Sequence, residues 1–595
     1  MTLWNELKRR NVIRVAVAYV VTAWLVIQVA ETILPLYDIP ESAIRTVVTA
    51  LAVLFIPTVV LAWVFEWTPK GIKKDADIGR DEAISAGNYR AFDRIVIVVL
   101  AIAVTYFAVD EFIIEPQPPQ TSEQSIAVMP FVNLSPDPAQ VLFAGGVTEE
   151  VRILLAKIPQ LRVTARGSIT KVAAMGLDIA EVAAKLYVGH ILEGSVRRAG
   201  DRIRITAQLV EASSGATLWS ESYDETLENI FEIQDKIAEN IVENLHVELV
   251  GPLPKARRTH PKALGLLIQA KQVFFQKSLQ GGYATIADEM DAYLAKALEI
   301  DPGFVDALAW KGHVIGARGL TGEIGPEEYF RRLEQLDEAI RAIDPEHFSI
   351  FANQAWIETY NNVDFAAAAP LWERVYPGAV NNGEYLRYIG RFAAYIGRFD
   401  IATPLHERAV VVDPLCTSCL YQLSRNYIWA GEWEKAEEAR ARFLLIGGGS
   451  GYFYHGIIKM MLDDAEGALE IFQNSGMNPD GAVAGQAMAL YALGKNEESI
   501  QQLSRLIEEL GEREPWAVAQ VYAFRGENDA AFEWLDKSLE QPTNPVTGRA
   551  RLIEATVNPL FQNLHDDPRW EQFRMKVGIP TELIESLQFS IDDPN

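Results

Sequence analysis

The chain has 595 residues, a formal net charge of −26 and two cysteines. The length calls for several domains. The acidity removes the basic field that nucleic-acid binding needs, and two cysteines supply neither a disulfide framework nor the four ligands of a structural zinc. No section compensates: residues 1–115 carry 11 Lys+Arg against 13 Asp+Glu, residues 116–251 carry 11 against 18, and residues 252–595 carry 32 against 49.

Residues 1–115 read as a three-span transmembrane region. Val15–Ala30 is uncharged, Thr46–Phe65 gives twenty uncharged residues, and Ile95–Val109 gives fifteen before Asp110 and Glu111. About twenty apolar residues cross a bilayer core, so the third run spans only if its acidic end lies at the interface. A buried soluble helix is the alternative for each run. A cleaved signal peptide is the other alternative for the first, but its apolar region is too long and a second span follows soon after. Lys8, Arg9, Arg10 and Arg14 flank the first run, Lys70, Lys73, Lys74, Arg80, Arg90 and Arg94 fill the second loop, and residues 95–151 hold no Lys or Arg. Positive charge marks the cytoplasmic side, which puts the N-terminus inside and everything after about residue 115 outside. If the third run does not cross, the remainder faces the cytoplasm instead. Residues 116–124, within "EPQPPQTSEQ", form a proline-rich linker that acts as a semi-rigid spacer.

Residues 125–251 read as a small α/β domain. "SIAVMPFVNL" is a buried strand closed by a turn. "GGVTEEVRILLAKI" is a helix with Val147, Val151, Leu154, Leu155 and Ile158 on one face and Glu149 and Glu150 in its first turn. "LRVTAR" is a strand, and "DIAEVAAKLYV" is a helix that Asp178 caps. "EGSVRRAGDRIRITAQLV" packs four arginines into eight positions. Taken as a hairpin turning at Arg198–Asp201, it pairs Arg197 with Arg202 and Val196 with Ile203. Strand alternation then puts Leu192, Val196, Ile203, Ile205 and Ala207 on one face and Arg197, Arg202 and Arg204 on the other, with Glu193 diagonal to Arg204. Those arginines are a solvated strand face, or else a site for an anion or an acidic partner. "SGATLWSESYD" adds a strand, and "IFEIQDKIAENIVENL" closes the domain as a helix.

The segments "SIAVMPFVNLSPDP", "TEEVRILLAKIPQLRV", "LEGSVRRAGDRIRITAQLV" and "ATLWSESYD", matching in order, resemble the TolB amino-terminal-like (FlgO-like) domain. The resemblance implies a bacterial protein with C-terminal tetratricopeptide repeats; in a bacterium the side that the charge pattern gives as outside the inner membrane is the periplasm. Gly145-Gly146 stands where the family usually has Asp-Gly. Chains of this family are often named adenylate cyclase because some carry a cyclase domain in front, which this sequence does not.

Residues 261–541 read as an all-α tetratricopeptide solenoid of about eight helical pairs. Asp/Asn-Pro pairs recur at 301, 344, 413 and 478, at intervals near one or two periods of such repeats. Leu386, Ile389, Gly390, Gly397, Ala402 and Pro414 fall at repeat spacing, as do Leu420, Leu423, Ser424, Tyr427, Gly431 and Ala436. Residues 542–595, with "NPLFQNLHDDPRWEQF", are a C-terminal capping segment. The first helix of each pair lines the concave face, which makes Tyr385, Arg387, Arg391, Gln422, Arg425, Asn426 and Trp429 candidate partner-binding residues for a protein or peptide. A rigid spacer without a ligand is the plainer alternative.

Catalytic motifs are missing. "GGGSGY" lacks the Gly-Lys-Ser/Thr of a phosphate loop, no nucleophile elbow or zincin pair occurs, and no cofactor or metal is called for. Cys416 and Cys419 sit three apart at a helix start: reduced core thiols, a disulfide pair and a metal or redox site all remain open. The fold class is therefore multidomain, with α-helical membrane spans, an α/β domain and an all-α solenoid. The expected function is a membrane-anchored periplasmic protein-binding scaffold or sensor. The alternatives are a signal-transduction protein of the type named adenylate cyclase but lacking the catalytic domain, and the same scaffold facing the cytoplasm.

This charge pattern fixes a topology test. A periplasm-dependent reporter fused after Pro119 should be active and one fused near Gly79 silent; the reverse pattern would put the repeats in the cytoplasm.

Overall fold

The computed structural model describes residue 23, residues 65–68 and 71–74, and residues 124–591 except 137–140, 227–228, 248, 250–251, 253–258, 278–282, 449–451, 475–478 and 541–547. The chain divides into two bodies, Met1–Gln117 and Pro118–Asn595. In the first, Ala23 is helical, and β1 (Phe65–Thr68) pairs antiparallel with β2 (Gly71–Lys74). Phe65, the expected last residue of the second span, thus opens a strand: the aromatic and β-branched residues of Phe-Glu-Trp-Thr favour an extended backbone. Otherwise the three expected spans lie outside the described residues. Among the described residues no helix is long and apolar enough to cross a membrane.

The second body begins with an α/β layer. β3 (Ser125–Val128) and β4 (Val132–Asn133) lead into α1 (Val141–Ala156), β5 (Arg162–Val163), α2 (Arg166–Ala173) and α3 (Ile179–Leu186). Then follow β6 (His190–Ala199), β7 (Arg202–Glu211), β8 (Thr217–Thr226) and α4 (Ile230–Asn244). The sheet runs β5-β3-β6-β7-β8, with β4 also on β6. The β3 pairings with β5 and β6 are parallel, and the β6–β7 and β7–β8 pairings are antiparallel. One face, with Ile126, Val128, Leu192, Ile203 and Ile205, is covered by α1 and α4. The other, with Ala127 and Ile191, is covered by α2 and α3. The α4 stripe of Ile230, Ile233, Ile237, Ile241 and Leu245 is buried throughout. Asp178 caps α3 in a reciprocal box with Glu181, which satisfies two free N–H groups of the first turn.

Helix α1 differs from the sequence expectation. It starts at Val141, so Glu149 and Glu150 lie in its second half rather than its first turn, and both are buried. Their side chains face the solenoid, not solvent.

The solenoid comprises α5 (Pro261–Lys277), α6 (Tyr283–Ile300), α7 (Val305–Leu320), α8 (Pro326–Arg341) and α9 (Phe348–Ile357), the last continued by a π-turn at Glu358–Asn362. Next come α10 (Phe365–Ala379), α11 (Gly383–Tyr395), α12 (Phe399–Val412), α13 (Thr417–Ala430) and α14 (Trp433–Leu445). The remaining paired helices are α15 (Tyr452–Met461), α16 (Ala465–Asn474), α17 (Pro479–Ala492), α18 (Asn496–Leu510), α19 (Pro515–Phe524) and α20 (Asn528–Glu540). They pack as successive hairpins, α5 with α6 through α19 with α20. From α7 onward each hairpin turns on one residue with positive φ: Gly322, Val363, Gly397, Gly431, Asp463, Gly494 and Gly526. Val363 to Gly397 and Gly397 to Gly431 are each 34 residues apart, and a left-handed C-cap is the common way to stop a helix sharply. At Gly390 a Cβ would lie 2.9 Å from the His406 ring, so glycine lets α11 and α12 approach.

The α/β layer is docked on this array. Asn381, between α10 and α11, donates to the Ala156, Ile158 and Leu161 carbonyls at 3.1, 3.4 and 2.9 Å and accepts from Val163 N at 3.3 Å. Asp413 accepts from Ser168 N at 3.1 Å and from its hydroxyl. The Ala165 N–H donates to the Val412 carbonyl. At the other end α1 meets α5: a Cβ on Gly146 would come within 3.1 Å of Ile268. Beside that contact lies a buried charge cluster. Burial would raise the Glu149 carboxyl, but Arg152, Arg166 and Lys271 hold it down at about 2. Burial, reinforced by Asp306, instead pushes Glu150 up to about 7.

The raised Glu150 fixes a pH dependence. A folded carboxyl that titrates near 7 binds a proton that the unfolded chain has lost above 4.5, so stability falls as pH rises from about 4.5 to about 7. Glu150→Gln should therefore raise the thermal midpoint of the full chain by several degrees near neutral to mildly alkaline pH. The gain should vanish once the pH drops below about 4.5; a gain independent of pH would mean that Glu150 titrates normally.

Candidate functional site

The first helices of the hairpins, from α7 to α19, line a continuous inner channel of about 1090 Å³. Inward positions recur at i and i+4 on these helices: Arg387 and Arg391 on α11, Tyr421 and Arg425 on α13. Of the candidate partner-binding residues, Tyr385, Arg387, Arg391 and Arg425 line the channel. Gln422, Asn426 and Trp429 do not; they are buried in helix packing. Asn426 donates to Thr403 at 2.8 Å, and Trp429 packs on Tyr395. Asn426 thus reaches α12 and Trp429 reaches α11.

The arginines sit among aromatic rings. The Arg391 guanidinium carbon lies 5.2 Å from the ring centres of Trp356 and Tyr360 and 5.5 Å from that of Tyr388. Arg387 is 4.3 Å from Tyr388. Arg425 is 4.6 Å from Trp429, 5.3 Å from Tyr454 and 5.6 Å from Tyr421. Cation–π attraction of this kind strengthens when the cation is desolvated. Among the described residues four carboxylates line the channel: Asp413, which holds Ser168, and Glu384, Glu514 and Glu554. Glu384 accepts from Tyr388 at 3.0 Å and faces His313 at 3.4 Å. Burial would raise its carboxyl, but His313 and Arg387 keep it at about 2. Glu514 pairs with Arg551. Glu554 binds both Arg425 and the Tyr454 hydroxyl.

Glu554 belongs to the C-terminal segment: α21 (Gly548–Glu554), a 3-10 turn at Pro559–Leu564, α22 (Pro568–Val577) and α23 (Thr581–Ser586). The 3-10 turn packs on α19 and α22 on α20, covering the last hairpin. Residues beyond them reach back to the middle of the array, where Phe589 meets Phe392 with ring centres 5.1 Å apart and Ser590 N donates to Glu373. The segment is therefore an inner strap as well as an end cap.

Cys416 and Cys419 form a disulfide, with Cα atoms 5.2 Å apart. Cys416 is the N-cap of α13, its sulfur accepting from Cys419 N at 3.1 Å, and it lies in the channel wall. Asp413 completes a trio within 4.8 Å. With the sulfurs bonded to each other and Asp413 holding Ser168, that trio offers no ligand set for a metal.

The hairpin arginines lie elsewhere, on the exposed face of the sheet. The turn is the two residues Gly200 and Asp201, with Gly200 at φ 64°, so Ala199 pairs with Arg202, Arg197 with Arg204 and Val196 with Ile205. A tight turn with φ above zero matches strand twist, and it slides the register by two from that expected. An even slide keeps the faces, so Val196, Ile203 and Ile205 are buried and Arg197, Arg202 and Arg204 exposed. The partner does change. Asp224 on β8 takes Arg202 at 2.7 Å and Arg204 at 3.2 Å, whereas Glu193 takes Gln208.

Sequence reasoning missed Trp356, Tyr388 and Tyr454 as channel groups. Nothing local links Glu554 to Arg425, 129 positions away.

No protein-family model matches the chain. A curated protein of Rhizobium meliloti (strain 1021), "Putative adenylate cyclase 3", is 40% identical over 199 residues. That stretch is 33% of this chain, and the match spans 33% of the relative's length. Among solved structures, the APC/C hetero-tetramer Cut9-Hcn1 is similar over 55% of this chain and 59% of that one, at 16% identity and TM-score 0.34. Naa15/Naa10 bound to HypK-THB is similar over 53% and 49%, at 14% identity and TM-score 0.22. Those TM-scores are too low to assign the fold, which rests on the helix pairing above.

The hairpin yields a contrast. Arg202→Glu with Arg204→Glu should leave the thermal midpoint nearly unchanged, because the Asp224 pairs are exposed. Ile205→Glu should cost about 4 kcal/mol or more by burying an unpaired charge. Equal, severe loss in both would mean that the two faces are exchanged.

Proposed function

We propose that this chain is a non-catalytic scaffold whose inner channel receives an extended segment of another protein. The observation that carries the reading is the channel itself: about 1090 Å³, continuous across the hairpins and lined by aromatic rings and arginines. These are the residue types that concentrate binding energy when desolvated. The α/β layer is proposed to be of the TolB-like kind and to brace the array. The apolar runs of residues 1–115 are proposed to anchor it in a bilayer with residues after about 115 in the periplasm. A channel, unlike a spacer, holds groups out of water. The Nε of Arg387 and the Nε and Nη2 of Arg391 are shielded from solvent and lack a hydrogen-bond partner among the described residues. Such groups are costly unless something binds them.

A second reading, a signal-transduction protein, is favoured by the name of the Rhizobium meliloti relative. It predicts cyclic-nucleotide formation, or control of it, in which the channel plays no part.

Photo-crosslinking separates the readings. A benzophenone amino acid replacing Tyr388 in the full chain, in its native cells, should trap a discrete protein. The same probe replacing Leu445, which is 85% exposed on α14, should not. Identical patterns at the two positions, or no product at either, would leave the spacer as the better description.

A further inference from the structure

Arg391 and Arg425 are equivalent residues of successive hairpins. They are 34 positions apart, and each stands six residues before the positive-φ glycine that ends its turn, Gly397 or Gly431. Each guanidinium lies among three aromatic rings. They differ in one component. Arg425 has a carboxylate, Glu554, which is delivered by the C-terminal strap and held in place by Tyr454 as well. Arg391 has none among the described residues: beyond its burial, the groups that most influence it are the hydroxyls of Tyr360, Tyr395 and Tyr388, with Arg425 after them. Its Nε and Nη2 are shielded and unbonded.

We infer that the channel carries an empty carboxylate subsite at Arg391, filled by an acidic side chain of the bound protein segment much as Glu554 fills the subsite one hairpin further on. This rests on the proposed function and names the chemistry of the segment it binds. A guanidinium presents a planar fork that matches a carboxylate with two parallel hydrogen bonds. A phosphate would satisfy the fork as well, but the neighbouring subsite shows what the surroundings accept: a planar carboxylate, one oxygen on the arginine and one on a tyrosine hydroxyl. Tyr388 stands beside Arg391, although its hydroxyl is engaged by Glu384. Tyr395, which also lines the channel, has its hydroxyl bonded to Tyr360. The occupant is a peptide segment and not a free metabolite because the neighbouring subsite takes its acid from a polypeptide side chain, Glu554 of the strap, and because the channel continues on both sides of Arg391.

The test uses the purified full chain and two matched pools of peptides of roughly ten residues, about 33 Å when extended. One pool has a fixed central Glu and the other a fixed central Gln. The Glu pool should bind about tenfold or more tightly, the usual scale for hydrogen bonds to a charged group. Arg391→Gln should remove that preference while leaving the thermal midpoint unchanged, and Arg391→Lys should restore only part of it. If Arg391→Gln does not fold, the wild-type protein still decides: benzophenone-bearing Glu peptides should label the helix of residues 383–395. Equal binding of the two pools in the channel overturns the carboxylate subsite but leaves the channel reading standing. Binding of neither pool overturns both. Glutarate competing at the same concentration as the Glu peptides would assign the subsite to a free dicarboxylate, and labelling confined to other helices would move it elsewhere.

Discussion

A row of helical hairpins touches only its immediate neighbours, so its curvature is set by whatever ties distant hairpins together. Here the tie on the α/β side is a pair of short polar side chains. Asn381 satisfies three carbonyls and one N–H at the end of α1 and the start of β5. Asp413 holds Ser168 at the start of α2. Each sits just after the second helix of a hairpin, α10 or α12. The α/β layer thereby spans two successive joints of the array and fixes the angle between them. Removing either group would orphan buried backbone polar atoms rather than only loosen a contact. The C-terminal strap does the same from within, joining α13 through Glu554 and α11 through Phe589.

The channel reconciles an acidic chain with an arginine-lined interior. A net charge of −26 acts outside the molecule, where salt screens it within about 8–10 Å. Inside, Arg387, Arg391 and Arg425 are surrounded by rings, and the nearby acids are already committed: Glu384 to His313 and Tyr388, Glu514 to Arg551 and Glu554 to Arg425. Local pairing, not net charge, decides which cations remain available.

Much of this was legible in the sequence because it rests on periodicity. The α4 stripe, the Asp178 cap and the alternation of the β6–β7 hairpin follow from side-chain spacing alone, and alternation survives a register slide of two. Spacing could not foresee the partners. Asp224 lies on the third strand, outside the hairpin itself, and it takes Arg204, for which Glu193 was the expected partner, together with Arg202. The start of α1 was misplaced because Gly145-Gly146 looks like a helix boundary. Gly146 is instead a mid-helix residue kept small by Ile268 of α5, and that contact needs knowledge of the docking. Gln422, Asn426 and Trp429 were misassigned for a related reason. A helix inside a solenoid is buried on more than one side, so polarity there does not mark the groove.

The difference between Arg391 and Arg425 also bears on what the strap is for. An arginine buried among aromatics without an anion is destabilising, since partial desolvation is offset only by the ring faces. At Arg425 the chain supplies the anion itself, and the same residues then contribute to holding the last hairpins closed. One hairpin earlier a comparable set of three rings surrounds Arg391, with no anion among the described residues. Replacing Arg391 by an apolar residue would relieve that cost without breaking any ion pair. A fold selected for stability alone would have no use for the guanidinium, so its presence argues that the channel works by keeping one charge unmatched until a partner arrives.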